Sequence, residues 1–303
     1  STRTSGSLRV YLITRVLLFV PQVLVILTIV FVLLRVAPGD PVSVALGGQR
    51  SAEQIAELRA AAGYDRPIVA QYWEYISGVV RFDLGSTITD NRDITNIILT
   101  NGGATLTQTF AALLIALLVG VPLGLVSGYF GGPLDDLVIM RVTDAIMAFP
   151  VIILALALTT ALGAGLTTAM IAIGVVYIPI FVRLARAQAL SLREAEFVEA
   201  ARALGNRSSP IIFLHLLPNM ASAILVQASL SVAAAILVES ALSFLGLGVQ
   251  PPTPSWGSML RTGTGYLVNA PWTSFWPGMA IFVTVLGINL MGDGLRDVLD
   301  PKD

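Results

Sequence analysis

The sequence predicts an all-α, polytopic membrane protein with six transmembrane helices, a small extracytoplasmic helical insertion and a polar helical elbow on the cytoplasmic side. Three observations carry this expectation. Of 303 residues, 55% are hydrophobic and only 12% charged, where a soluble domain carries about 25% charged residues. Mean hydropathy is +0.80, so the chain cannot cover itself with polar surface. Apolar runs of about 20 residues, enough to cross a bilayer as a helix, recur along it.

Composition also excludes several chemistries. There is no Cys, so disulfides, thiolate metal sites and a Cys nucleophile are absent. His215 is the single His, which rules out a multi-His metal site and argues against a membrane-embedded hydrolase. Lys302 is the only Lys, followed by Asp303 alone. A phosphate-binding G-x-x-x-x-G-K-[ST] loop is therefore missing. The net charge of −1 gives no reason to expect nucleic acid as a partner.

The expected spans are about 16–35, 105–129, 137–161, 166–187, 215–245 and 274–292. The first follows Arg3, Arg9 and Arg15 as a signal peptide would. It is longer than a typical h-region and has no A-x-A-like cleavage site, so it reads as an uncleaved helix. Placing the N-terminus inside puts Arg141, Arg183, Arg186, Arg193, Arg202, Arg207, Arg296 and Lys302 on the same side, with only Arg261 in a short outer loop. This is the positive-inside pattern, with both termini cytoplasmic. The chain divides into 1–104, a first span plus cap, and 105–303, a five-helix core with the elbow at about 190–218.

In the cap, Ser51 and Gln54 form a capping-box pattern and Gly63 a helix stop. Pro67 opens a second amphipathic helix whose Tyr72, Trp73 and Tyr75 are expected to anchor at the lipid interface. In the second span, Gly120, Gly124 and Gly128 make a smooth stripe for close helix packing, and Pro122 is a candidate kink. Charges at membrane depth face a bundle interior or an aqueous path. Asp144 is expected to pair with Arg141 one turn away. Glu239 is a candidate for the outer mouth of a pathway, and Asn219 and Gln227 are candidates for hydrogen bonds across helices. The Pro-rich segment 246–272, with Trp256, is expected to lie over the outer gate.

The elbow is EFVEAARALGNRSSPIIFLHLLPN, residues 196–219. Helix formers run to Leu204, Gly205 stops them, and Ser208 or Ser209 caps a second helix that runs into Pro218. The spacing Glu199-Ala200-Ala201-x-x-x-Gly205 with the downstream Leu217-Pro218 resembles the EAA loop of ABC importer permeases, with His215 where the usual pattern has Ile. In that family the loop is the coupling helix that sits in a cleft of the ATP-hydrolysing subunit. The resemblance implies coupling roles for Glu199, Ala200, Ala201, Arg202, Gly205, His215 and Pro218. It implies no cofactor in this chain, with ATP and Mg bound by a partner ATPase.

The stretches GVPLGLVSGYFGGPLDDLVIMR, ESALSFLGLGVQPPTPSWGSML and NLMGDGLRDVLDP look like one permease of the dipeptide, oligopeptide and nickel importer group. RVAPGDP, GYDRPIVAQYWEYISG and DLGSTI look like its paralogous partner, so the resemblance is a mosaic. It implies a bacterial plasma-membrane permease with alternating access, fed by an extracytoplasmic binding protein and paired with a second permease or a second copy of itself. Peptides are the expected substrate; nickel, glutathione, opines and oligosaccharides are the alternatives within the group. An ion-coupled secondary transporter is the alternative from another class. It needs ionisable residues at the bilayer midplane, where this sequence is poor.

Overall fold

The structure is a computed structural model that describes residues 65–86, 92–133, 135–250, 253–267 and 272–299, with scattered positions from 21 to 63. The expected first span and the capping-box helix at 51–63 fall largely outside the described residues. Among those described, the chain is helical, with one isolated bridge between Ser86 and Asp93. Four helices among the described residues are long and apolar enough to cross a membrane: Ile94–Phe130, Leu166–Leu192, Ser208–Phe244 and Thr273–Arg296. A bent pair, Asp135–Met147 with Val151–Leu162, makes a fifth crossing if counted as one.

Helix α1 is Ile68–Val80 and α2 is Ile94–Phe130. Asp93 starts α2 by accepting from the backbone N–H of Thr95 at 2.7 Å and of Asn96 at 3.3 Å, which satisfies donors that have no intrahelical partner. The 37 residues of α2, at 1.5 Å rise, reach roughly 55 Å, well beyond a hydrocarbon core of about 30 Å. The helix continues through Pro122, and the expected boundary at 104/105 falls inside it.

The expected third span is broken. A π-helical turn, Asp135–Ile139, leads into α3, Met140–Met147; α4, Val151–Leu162, leaves at 98°. Pro150 explains the break. It offers no N–H and drives the preceding Phe149 away from helical geometry. Pro150 itself sits at φ −54°, ψ 133°.

Helix α5 is Leu166–Leu192, α6 is Glu196–Ala203 and α7 is Leu217–Phe244. A π-helical stretch, Ile211–Leu216, joins the turn at Ser208 to α7 without interruption. The second elbow helix and the following span are thus one helix, not two meeting at Pro218. The widened turn removes the need for the i→i−4 bond that Pro218 cannot make. Neither Ser208 nor Ser209 caps it: Arg207 holds the N-cap position, with no side-chain hydrogen bond. Helices α8, Trp256–Thr264, and α9, Trp272–Leu299, complete the described chain.

The core lies between α2, α5 and α7, around Leu125, Phe181, Ile173, Ile236 and Met220. The glycine stripe sets its tightest seam. A Cβ on Gly120 would lie 2.8 Å from Phe181 Cβ, on Gly124 2.6 Å from Ala185 Cβ, and on Gly128 2.8 Å from Ala189 Cβ. Nothing in lipid pushes apolar helices together, so backbone approach between small residues supplies the contact.

Gly124→Ala should therefore lower the thermal midpoint of the detergent-solubilised protein, at a cost of about 1–3 kcal/mol for overpacking. Gly103→Ala, on the same helix with nothing within 4 Å of the added Cβ, should leave the midpoint unchanged or raise it. Fluorescence-detected size exclusion after a heating series reads both.

Candidate functional site: the elbow and its anchors

The elbow is built by a Schellman turn. Gly205, at φ +80°, donates its N–H to Arg202 O at 2.9 Å, and Asn206 donates to Ala201 O at 3.1 Å. These two bonds satisfy the last carbonyls of α6 and need a left-handed residue at the turn. Val198 and Ala201 point inward and are buried, whereas Glu199, Ala200 and Arg202 face out. Phe197 and His215 rings lie 6.5 Å apart across the two arms. Pro218 is exposed.

Sequence reasoning missed the apolar surface here. Phe197, Leu204, Phe213 and Leu214 are all exposed, Leu204 at 83%. They stand among Glu196, Glu199, Arg202 and Arg207. Phe197 and Leu204 lie outside the helices long and apolar enough to cross a membrane.

The elbow is tied to the bundle through the last turn of α2. The Arg202 guanidinium lies over the Tyr129 ring, 5.3 Å from its centroid. Arg193 donates to Gly128 O at 3.2 Å. Ser127 donates to Asp135 Oδ1, and Arg186 grips the same carboxylate through Nε at 3.0 Å and its terminal nitrogen at 2.6 Å. Asp135 is only 3% exposed. Asp144 pairs with Arg183 of α5 at 2.6 Å, not with Arg141 as local spacing suggested. The tertiary partner reaches it from a different helix.

At the opposite pole, α8 is clamped to α2. Ser255 and Ser258 form a reciprocal capping box. The Trp256 indole N–H donates to Ile98 O at 2.9 Å, and its backbone N–H donates to Thr105 Oγ1 at 3.3 Å. Trp256 is buried against Gly102, where a Cβ would collide with its ring. Glu239 is fully buried in the same region; Ser243 donates to its carboxylate at 2.7 Å and Ser240 lies at 3.5 Å. Asn219 and Gln227 bond within their own helix rather than across helices: Asn219 donates to His215 O at 2.7 Å and Gln227 to Ser231 Oγ at 3.2 Å.

The aromatics of α1 divide. Tyr72 and Tyr75 turn toward Phe31, at ring distances of 5.2 and 5.7 Å, and Tyr75 also meets Trp276 of α9 at 5.9 Å. Trp73 alone is strongly exposed. Burial, with Tyr72 beside it, pushes the Tyr75 hydroxyl up to about 12, so it stays protonated through the physiological range.

With two poles defined, comparison with known proteins is decisive. Residues 120–302 match the binding-protein-dependent transport system inner membrane component, and residues 8–93 match the N-terminal part of that system's membrane component. The chain belongs to this family of transport permeases. It is 48% identical to the dipeptide transport system permease protein DppC of Alkalihalophilus pseudofirmus, over 70% of this chain and 69% of that protein. Identity is 42% to the glutathione transport system permease protein GsiD of Pectobacterium atrosepticum, over 70% of each. It is also 42% to the di/tripeptide permease DppC of Pseudomonas aeruginosa, over 74% of each. Inward-facing structures of the MetNI methionine ABC transporter share the fold, with a TM-score of 0.55 over 67% of this chain and 95% of theirs, at 19% identity. The permease is an inner-membrane, multi-pass ABC transporter subunit, and the elbow lies within the matched region.

Because no atom lies within 4 Å of a Cβ added at Gly205, the cost of replacing it is backbone strain alone. Gly205→Asn, which tolerates a left-handed turn, should leave the elbow resistant to limited proteolysis. Gly205→Val should lose about 1–3 kcal/mol locally and be cut there faster.

Proposed function

We propose that this permease serves a bacterial importer of di- or oligopeptides and works by alternating access, with separate ATPase subunits docking on its elbow. The observation that carries the reading is the elbow itself. A rigid Schellman turn presents Glu199, Ala200 and Arg202 outward beside exposed Phe197 and Leu204, while Val198 and Ala201 root it in the core. Such a surface takes a partner and transmits its movement to the spans. His215 and Pro218, on the second arm, complete the coupling set with Ala201 and Gly205.

Orientation supports the same reading. Arg183, Arg186, Arg193, Arg202 and Arg207 cluster at the elbow pole, which makes that pole cytoplasmic. The opposite pole, with α1, α8 and Trp256, then faces the binding protein. Glu239, beside the Trp256 clamp, shapes the outer end of the path, with Asn219 and Gln227 further along α7. A second permease, or a second copy of this chain, closes the other side. ATP and Mg belong to the docked subunits. Relatives named for dipeptides, di/tripeptides and glutathione favour small peptides as cargo.

The test is to purify the tagged chain from its own membranes in mild detergent and weigh the intact complex with every component identified. An ATPase should come with it. A complex that transports without one would sink the proposal. Gly205→Pro removes the Gly205 N–H and forbids φ +80°, since Pro is held near −65°; the variant should insert normally yet lose the ATPase. Uptake of a labelled dipeptide, competed by glutathione or by longer peptides, separates the cargo classes.

A further inference from the structure

We propose that the last turn of α2 and the Asp135–Arg186 pair form a latch that makes α3, the elbow-side half of α5 and the elbow move as one body when ATP drives the permease. The inference rests on the coupling role proposed above and names the residues that carry the movement inward.

Three consecutive residues on α2 each reach a different element. Ser127 donates to Asp135, at the start of the broken span. Gly128 lies against α5: its Cβ would sit 2.8 Å from Ala189 Cβ, and its carbonyl accepts from Arg193 at 3.2 Å. Tyr129 carries Arg202 of the elbow helix on its ring. One helical turn therefore touches the elbow, α5 and the broken span at once.

The Asp135 contact is the stiff part. Its carboxylate takes three donors, two from one guanidinium fork and one from Ser127. Bidentate, charge-assisted pairs fix direction as well as distance. The Asp135 side chain is 3% exposed and the Arg186 side chain 26%, so the carboxylate is the sheltered end of the pair. Arg183, one turn earlier on α5, takes Asp144 near the far end of α3 at 2.6 Å. So the π-helical turn and α3 together contact α5 twice, through the sheltered Asp135 and the half-exposed Asp144. Beyond the 98° bend, α4 carries no Asp, Glu, Lys or Arg at all. The latch thus divides the broken span into a half locked to the elbow and a half held by packing alone.

The chain has no Cys, so paired cysteines can be introduced for spin labels without background. Val142→Cys on α3, 55% exposed, and Ser209→Cys on the elbow, exposed and outside the proposed docking surface, carry the labels. Electron–electron distance measurements are made on the assembled complex in nanodiscs, without nucleotide and with ATP plus vanadate. In the wild-type background the Val142–Ser209 distance should be the same in both states. With Asp135→Asn the complex should still assemble, but the distance should shift by ~5 Å between states, about one turn's rise. Asp135→Glu should restore the invariant distance, and Glu74→Ala, at an exposed pair in α1, should not alter it. ATP hydrolysis by the same preparations, measured without vanadate, is the companion readout. Transmission through the latch predicts that the stimulation of this hydrolysis by the binding protein falls about tenfold in Asp135→Asn.

A wild-type distance that changes with nucleotide overturns the latch, as does an Asp135→Asn variant whose distance and response both match wild type. If Asp135→Asn fails to assemble, Ser127→Ala, which keeps the ion pair and removes one donor, should still broaden the ATP-state distribution. A Ser127→Ala distribution identical to wild type then overturns it. A complex without ATPase activity fails the coupling proposal instead, and the two failures are distinguishable in one preparation.

Discussion

Backbone contact between α2 and α5 is the constraint on which the rest depends. Lipid tails are as apolar as the helices, so burial against them gains nothing. What remains is close packing, and close packing needs small residues in register. Gly120, Gly124 and Gly128 face Phe181, Ala185 and Ala189 along one seam. Only because the two helices approach this closely does Ser127 come within reach of the Asp135 carboxylate that Arg186 holds. The polar latch at the elbow pole is a consequence of the glycine stripe that runs into it from Gly120 to Gly128.

Two buried carboxylates are treated differently at the two poles. Asp135 is matched by a guanidinium, at the pole where the proposed ATPase contact lies. Glu239 is fully buried with hydroxyl donors from Ser243 and Ser240, and among the described residues no ion pair reaches it. A buried ion pair is rarely the cheapest way to stabilise a fold. Its value lies in geometry, because a fork-to-carboxylate contact is directional where apolar packing can slide. A hydroxyl cage around Glu239 is softer, since each hydroxyl rotates to suit. Stiffness at the elbow pole and adaptability at the outer pole fit a protein that takes force at one end and accepts cargo at the other.

Much of this was legible in the sequence where the signal is local. The glycine spacing foretold the seam, the Gly205 stop foretold the left-handed turn, and the EAA spacing pointed to the family. The misses share a cause. Asp144 was assigned to Arg141 because three residues separate them on one helix, yet its partner lies 39 residues away on α5. Asp135 reads in sequence as one of two loop acids after Gly131 and Gly132; its burial depends on a partner 51 residues distant. The break at Pro150 was hidden by an unbroken apolar run, since hydropathy registers length and not direction. Pro218 misled in the opposite sense. A proline usually ends a helix, but a π-helical turn before it absorbed the missing bond.

The choice of cation follows from the same geometry. Seventeen of the eighteen basic residues are Arg, since Lys302 is the only Lys. An ammonium is a compact point charge on a flexible stem and tolerates rotation about its partner. A guanidinium presents parallel donors in a rigid plane, so it resists rotation of Asp135, and it can also sit over an aromatic ring, as Arg202 sits over Tyr129. Lys at position 186 would keep the charge and lose the direction. Lys at 202 would keep a compact charge near the ring and lose the delocalised guanidinium. The Arg-rich elbow pole supplies contacts that hold angle as well as distance, and the lever proposed for the elbow needs both.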